Sequence, residues 1–286
     1  MISDITLGQF FPGKSPIHRL DPRTKIILAT LFIVMVFVAN NPTSFAFLAL
    51  ITFICVCVSG ISFKIIIKSI KPIVFILLFT ALINIFVTKG VGTPVLSFWI
   101  VEIYTEGIVR GLLMASRVII LIVGTSVLLT YTTSPISLTD GIESLLAPLK
   151  TIKVPVHTFA MMMSIALRFI PTLIEETEKI MNAQKSRGAD FTSGSIVQRA
   201  KALIPILVPL FVSSFKRAEE LATAMECRCY RGDKNRTKLV KLQYRGLDYL
   251  YMVMFLLSFS AIISLTFVPY QFGSFGIVYD IMFYRI

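Results

Sequence analysis

Between Lys25 and Lys64 the chain carries no charged residue. The stretch is too long for one membrane-crossing helix, which needs roughly 20 apolar residues, and its middle, Asn40-Asn41-Pro42-Thr43-Ser44, is turn chemistry. It predicts a helical hairpin in a bilayer. Asp21 as N-cap and Pro22 at the first helical position start the first helix, which runs to about Ala39; the second covers about Phe45 to Ile61. Further apolar runs fall at about Ile70 to Val87 (apart from Lys71), Gly107 to Tyr131 (apart from Arg110 and Arg117) and Tyr249 to Val268. Five spans result. Composition agrees: 55% of the 286 residues are hydrophobic and 15% charged, whereas an average soluble domain is about a quarter charged, which argues against a soluble globular enzyme.

The expected fold is an all-α polytopic membrane protein with about five transmembrane helices, an amphipathic helix and two long cytoplasm-facing helices. Residues 1–131 hold a leader and four spans, 132–245 a cytoplasmic coupling region, and 246–286 the last span and an external tail. Sidedness follows from the net charge of +12. The leader through Lys25 has four basic and two acidic residues, the 64–71 loop adds three basic (Lys64, Lys68 and Lys71), and 132–245 has 17 basic and 10 acidic. These three segments account for the whole surplus, so the positive-inside rule puts them in the cytoplasm, with the N terminus inside and the C terminus outside. Charge spread along one membrane face, mixed with acids and without a binding motif, excludes nucleic acid as the partner. The lipid bilayer takes that place.

The first apolar run begins only at Ile26, behind a polar leader with no cleavage pattern, so insertion by the first span is expected. Cys55 and Cys57 lie in an apolar run and Cys227 and Cys229 flank Arg228, which gives no disulfide framework. Residues 89–106, with Trp99, read as an exposed loop carrying an interfacial aromatic anchor.

The 132–245 region opens with Ser134-Pro135 and a short amphipathic helix to about Leu149, with Ile142, Leu145, Leu146 and Leu149 on one face. Two long helices follow, about Val156 to Arg187 and Ser195 to Tyr230, each apolar early and charged late. Pro171 in the first and Pro205 and Pro209 in the second predict a bend or break. At 1.5 Å per residue such a helix is about 45 Å long, against a hydrocarbon core of roughly 30 Å. Neither reads as a plain span; both are expected along or obliquely under the bilayer.

Gly8 to Ser15 matches the phosphate-loop pattern letter for letter. The match is rejected, because such a loop works only between a strand and a helix, and Pro16 follows Ser15 with no helix pattern behind it. His18 and His157 read as capping or interface residues, and Cys227-x-Cys229 alone is a weak zinc signal. No metal site is expected. The spans hold no aspartate or glutamate, so the usual hardware of proton-driven transport is missing. Arg117 is explained by snorkelling or by pairing with a backbone carbonyl.

The sharper signal is that the two long helices end alike, in Ser186-Arg187-Gly188 and Cys227-Arg228-Cys229. A basic residue and a glycine at one helix end mean only termination. Two such ends on consecutive, similarly built helices also read as a two-pronged device, with small residues that enter a groove and a guanidinium fork for carboxylates or carbonyls.

At these residues the chain resembles the transmembrane T component (EcfT family) of energy-coupling factor (ECF) transporters, vitamin and micronutrient importers of the ATP-binding cassette class. The likeness covers Ile17 to Lys25, Thr132 to Pro135, Met162 to Pro171, Ala183 to Gly188 and Ala224 to Gly232. The family pattern at both ends is Ala-Arg-Gly; Ser186, Cys227 and Cys229 depart from it, and Cys229 in place of glycine makes the second end bulkier. The resemblance implies a non-catalytic subunit with no cofactor of its own, ATP and magnesium being bound by two cytoplasmic ATPases, and with a membrane S component binding the substrate. It implies that Arg187 and Arg228 each enter one ATPase. Met161, Met162, Met163, Pro171, Pro205 and Pro209 would face the S component, plain membrane packing being the other reading of the methionines. A self-sufficient secondary transporter, the alternative, needs an intramembrane coupling site or inverted repeats, and neither is found.

Overall fold

A computed structural model describes residues 10–87, 96–98, 101–189, 191, 195–230, 232 and 242–267. Within them regular structure is helical apart from one antiparallel hairpin, β1 (Leu96–Phe98) with β2 (Val101–Ile103). The hairpin lies where a plain loop is expected; Trp99 and the C-terminal tail fall outside the described residues.

Helix α1 (Pro22–Val38) starts as its sequence predicts, the Asp21 carboxylate accepting from the Arg23 N–H at 2.9 Å. Helix α2 (Pro42–Ser59) stops at Gly60, whose φ of 69° suits a residue without a Cβ. Helix α3 (Phe63–Ile70) runs through one 3₁₀ turn into α4 (Val74–Val87). The third apolar helix thus starts seven residues earlier than expected. Lys64, Lys68 and Lys71 are all exposed, and their spacing puts them on one helical face, so basic residues that read as a loop are the polar side of a helix.

Helix α5 (Thr105–Thr125) ends in a π turn, Ser126–Thr130, in which the Tyr131 N–H reaches the Ser126 carbonyl at 2.9 Å. It packs on α4 through Gly107 and Gly111, where a Cβ would lie 3.1 Å from the Ile85 and Ala81 carbonyl oxygens. This is the small-xxx-small contact of membrane helices. Helix α9 (Gly246–Phe267) begins three residues before the expected Tyr249. The reason is Asp248, which sits inside the first turn and accepts from the Arg245 N–H at 2.7 Å instead of preceding the helix.

Two compact units are present. One holds Phe10–Ser134 and α9. Its core is built from Leu28, Phe32 and Met35 of α1, Leu48 of α2, Val127 and Leu128 after α5, and Ile262 of α9. Arg117 of α5 donates to the Ala39 carbonyl at 2.9 Å and lies over the Phe45 ring at 5.2 Å, so it ties off the end of α1 by the carbonyl pairing expected of it.

The other unit, Pro135–Lys241, holds α6 (Pro135–Leu145), α7 (Val156–Ser186) and α8 (Ile196–Cys227). Helix α6 is shorter than predicted because the chain turns 3₁₀ from Ala147, next to Pro148. Ile142 of α6 and Leu146 and Leu149 beyond it are exposed; what α6 buries includes Glu143, whose carboxylate meets His157 Nδ1 of α7 at 2.9 Å. Helix α7 has 31 residues and passes Pro171 without a break; α8 has 32 and passes Pro205 and Pro209. Of the expected bend or break, the break does not occur at any of the three prolines. Pro205 and Pro209 are four apart and both exposed, so the missing donors share one helix side and the remaining ladder holds.

By length and composition six stretches are able to cross a membrane: α2, α3 with α4, α5 with its π turn, α7, α8 and α9. Helix α1, with 17 residues, is at the lower end of the spanning range. Helices α7 and α8, expected under the bilayer, also qualify on these two grounds.

Candidate functional site

The ends of α7 and α8 are the same structure built twice. Arg187 and Arg228 each occupy the C-cap, at φ −89°, ψ 7° and φ −90°, ψ 15°. The next residue is left-handed in both, Gly188 at φ 87° and Cys229 at φ 55°. Two backbone bonds then close each end. Gly188 N–H donates to the Lys185 carbonyl at 2.9 Å and Ala189 N–H to the Gln184 carbonyl at 3.0 Å; Cys229 N–H donates to Glu226 at 2.8 Å and Tyr230 N–H to Met225 at 3.0 Å. Both are Schellman motifs, position for position.

This geometry explains the Arg-Gly order. The turn needs a left-handed residue right after the arginine, glycine adopts it without strain, and the cap bonds are made by backbone alone. The guanidinium is therefore left for something else. All six residues, Ser186, Arg187, Gly188, Cys227, Arg228 and Cys229, are exposed, and among the described residues neither arginine side chain has a hydrogen-bond or ion-pair partner. Cys227 and Cys229 are free thiols. Cys229 differs from glycine less in bulk than in backbone: it holds a conformation that costs a residue with a Cβ about 1–2 kcal/mol.

A contact not singled out from the sequence joins the two helices. Glu176 of α7 accepts from Arg217 of α8 at 2.7 Å with one carboxylate oxygen and from the Ser213 hydroxyl with the other. Glu176 precedes Arg187 by eleven positions and Arg217 precedes Arg228 by the same eleven, about 16 Å of helix on each side. Two arms of equal length thus run from one ion pair to two identical caps. Opposite charges at equal offsets before the two arginines are the sequence signal that could have found it.

On the apolar halves Met162, Met163, Pro171, Pro205 and Pro209 are exposed and Met161 is half-buried. Phe159, Leu207 and Phe211 are also exposed there. No described cluster of three or more His, Cys, Asp or Glu is placed to hold a metal ion.

The described part of the phosphate-loop match, 10–15, is non-helical, and a turn follows it. The Ser15 hydroxyl bonds His18 Nδ1 at 2.6 Å while His18 Nε2 donates to the Phe11 carbonyl at 3.0 Å. Partial burial holds the imidazole pKa below its ordinary value, against the Phe11 bond, which raises it; Lys25 nearby lowers it further. His18 thus ties the turn at Ser15 to the Phe11 backbone.

Comparison with known proteins follows the same lines. The sequence profile of the family described as CbiQ, cobalt transport protein, matches residues 13–239. The energy-coupling factor transporter transmembrane protein EcfT of Ruminiclostridium cellulolyticum is 54% identical over 250 residues, covering 87% of this chain and 92% of that one. Its counterparts in Clostridium kluyveri and Bacillus subtilis are 52% and 51% identical over 250 and 248 residues, again covering 87% of this chain and 92% and 93% of theirs. With membrane-length apolar helices and two matched, exposed helix ends, the chain belongs to the CbiQ/EcfT family, the membrane-embedded energy-coupling components of ECF transporters.

Proposed function

We propose that this chain links two cytoplasmic ATP-binding cassette ATPases to one membrane S component, each ATPase receiving one arginine-bearing helix end. The observation that carries the reading is the duplicated Schellman cap with its exposed arginine. A pair of like subunits calls for a pair of like plugs. The helix dipole leaves partial negative charge at each C-terminus, so a carboxylate in the partner groove is met by the guanidinium and not by the helix end itself.

In this reading ATP closes the ATPase pair and draws the two docked ends together. The Glu176–Arg217 ion pair lies between the moving arms and the apolar halves of α7 and α8, where it acts as a pin. Movement of the ends then re-orients the surface carrying Met161, Met162, Met163, Pro171, Pro205 and Pro209 beneath the S component. The chain itself performs no catalysis and binds no cofactor. ATP and magnesium belong to the ATPases, and the identity of the substrate belongs to the S component. The leader and Pro135–Lys241 face the cytoplasm, in keeping with the basic surplus, and the C terminus lies outside.

Purification of the tagged chain from native membranes tests this reading. Two ATPases and a small hydrophobic protein are expected to come with it. A chain that purifies alone and transports by itself would instead make it a self-sufficient permease.

A further inference from the structure

The coupling unit is an insertion: the chain leaves the transmembrane unit after Ser134 and returns to it at Leu242. Both of these crossings are held by one short segment at the start of α1. Lys25, 2% exposed, donates from Nζ to the Thr132 carbonyl at 2.8 Å and to the His18 carbonyl at 3.3 Å. Thr132 is the outgoing strand of chain. Arg23 donates to the Leu242 carbonyl at 3.5 Å and lies over the Tyr244 ring at 5.4 Å. Those residues are the incoming one.

Asp248, 1% exposed, closes the arrangement. One of its oxygens accepts from the Asp21 N–H at 2.8 Å and the other from the Arg245 N–H at 2.7 Å. The Asp21 side chain in turn accepts from the Arg23 N–H at 2.9 Å. Arg23 Nε also lies 3.9 Å from the Asp21 carboxylate, so the cluster gathers two acids, Asp21 and Asp248, and two bases, Arg23 and Lys25. The Phe11 N–H adds a bond to the Tyr131 carbonyl at 3.0 Å, next to the π turn that ends α5.

Buried charges are weak evidence for stability and better evidence that one arrangement is being specified. Here what they specify is where two chain crossings, 110 positions apart in sequence between Thr132 and Leu242, sit against the same turn of α1. We propose that Asp21, Arg23, Lys25 and Asp248 form the bearing of the coupling machine: positioning residues that hold both chain crossings, at Thr132 and Leu242, against the first turn of α1 while the helix ends beyond them are displaced. The inference rests on the energy-coupling reading above, and its failure is distinguishable from failure of that reading.

The test uses the intact complex of this chain with its ATPases and S component in proteoliposomes. Spin labels replace Phe37 of α1 and Phe159 of α7, both exposed; Cys55 and Cys57 are changed to Ala, and Cys227 and Cys229 to the family's Ala and Gly. Distances are read with and without MgATP plus vanadate. The parent complex gives a narrow distribution that shifts with nucleotide. Lys25→Met, and independently Asp248→Asn as the milder change, keep ATPase association and hydrolysis within about twofold, at least double the width of the distribution and more than halve its shift, while Lys25→Arg restores both. A purely structural role predicts the opposite: fewer complexes, with unaltered distances and full shift in those that survive. That result overturns the bearing. A parent complex that lacks ATPases, or whose distance ignores nucleotide, overturns the energy-coupling reading first.

Discussion

The two helix ends permit a matched pair of substitutions whose effects should have opposite sign. Gly188 has φ 87° and Cys229 φ 55° at the same position of the same motif. Replacing Gly188 by Ala forces a Cβ into the left-handed region, at about 1–2 kcal/mol of native-state strain. Ala also stiffens the unfolded chain, which returns about 0.4–1 kcal/mol. The net loss is about 0.5–1 kcal/mol. No atom lies within 4 Å of the new Cβ, so conformation alone sets the figure. Cys229→Gly runs the comparison backwards and should firm its cap by a similar amount. The assay is amide hydrogen exchange at Ala189 and Tyr230, whose N–H groups make the long cap bonds at 3.0 Å. Gly188→Ala should speed exchange at Ala189 about two- to fivefold, and Cys229→Gly should slow it at Tyr230 by a similar factor, the conversion being 1.4 kcal/mol per tenfold. Shifts of the same sign at both ends, or none at Ala189, would refute the claim that one backbone device was built twice.

Other consequences are equally direct. A Cβ on Gly124 would come 2.1 Å from the Phe32 ring, so Gly124→Ala should destabilise the transmembrane unit by about 1–3 kcal/mol through overpacking, with partial rescue by Phe32→Leu; thermal melting in detergent reads both. The Glu176–Arg217 pair is part-exposed, at 21% and 36%, and a double-mutant cycle with Glu176→Gln and Arg217→Met should return a coupling energy of about 0.2–1 kcal/mol; zero coupling would remove the pin. The neutral form of His18 is the one its folded site favours. Its contribution to stability is therefore complete above the ordinary value of 6.5 and declines as pH falls below it, through the lower folded pKa. Melting temperature should drop over that acid range, and His18→Gln should flatten the drop.

What was legible in the sequence is what short-range chemistry decides. Asp21-Pro22 starts α1 and the matched ends at Arg187 and Arg228 emerge as matched caps, whereas α2 starts at Pro42, inside the stretch read as a turn and three residues before the expected Phe45. Errors cluster where a local cue had two meanings. Lys64, Lys68 and Lys71 signalled a loop and are one face of a helix. Asp248 marked the edge of an apolar run and lies within the first turn of α9. Prolines at 171, 205 and 209 signal a bend or a break, and α7 and α8 run through them unbroken. The remainder could not be read at short range at all. Lys25 meets Thr132, Asp248 meets Asp21, Glu143 meets His157 and Glu176 meets Arg217, and each of these pairs is a charge or carbonyl whose partner only the packed helices bring near.

The docking assignment can be weighed, literally. Native mass spectrometry of the purified complex should find two ATPases per chain, one after either Arg187→Glu or Arg228→Glu, and none after both, with the helices intact by circular dichroism. Two ATPases retained by the double variant, in a complex that still hydrolyses ATP and transports, would contradict the claim that these arginines are the plugs.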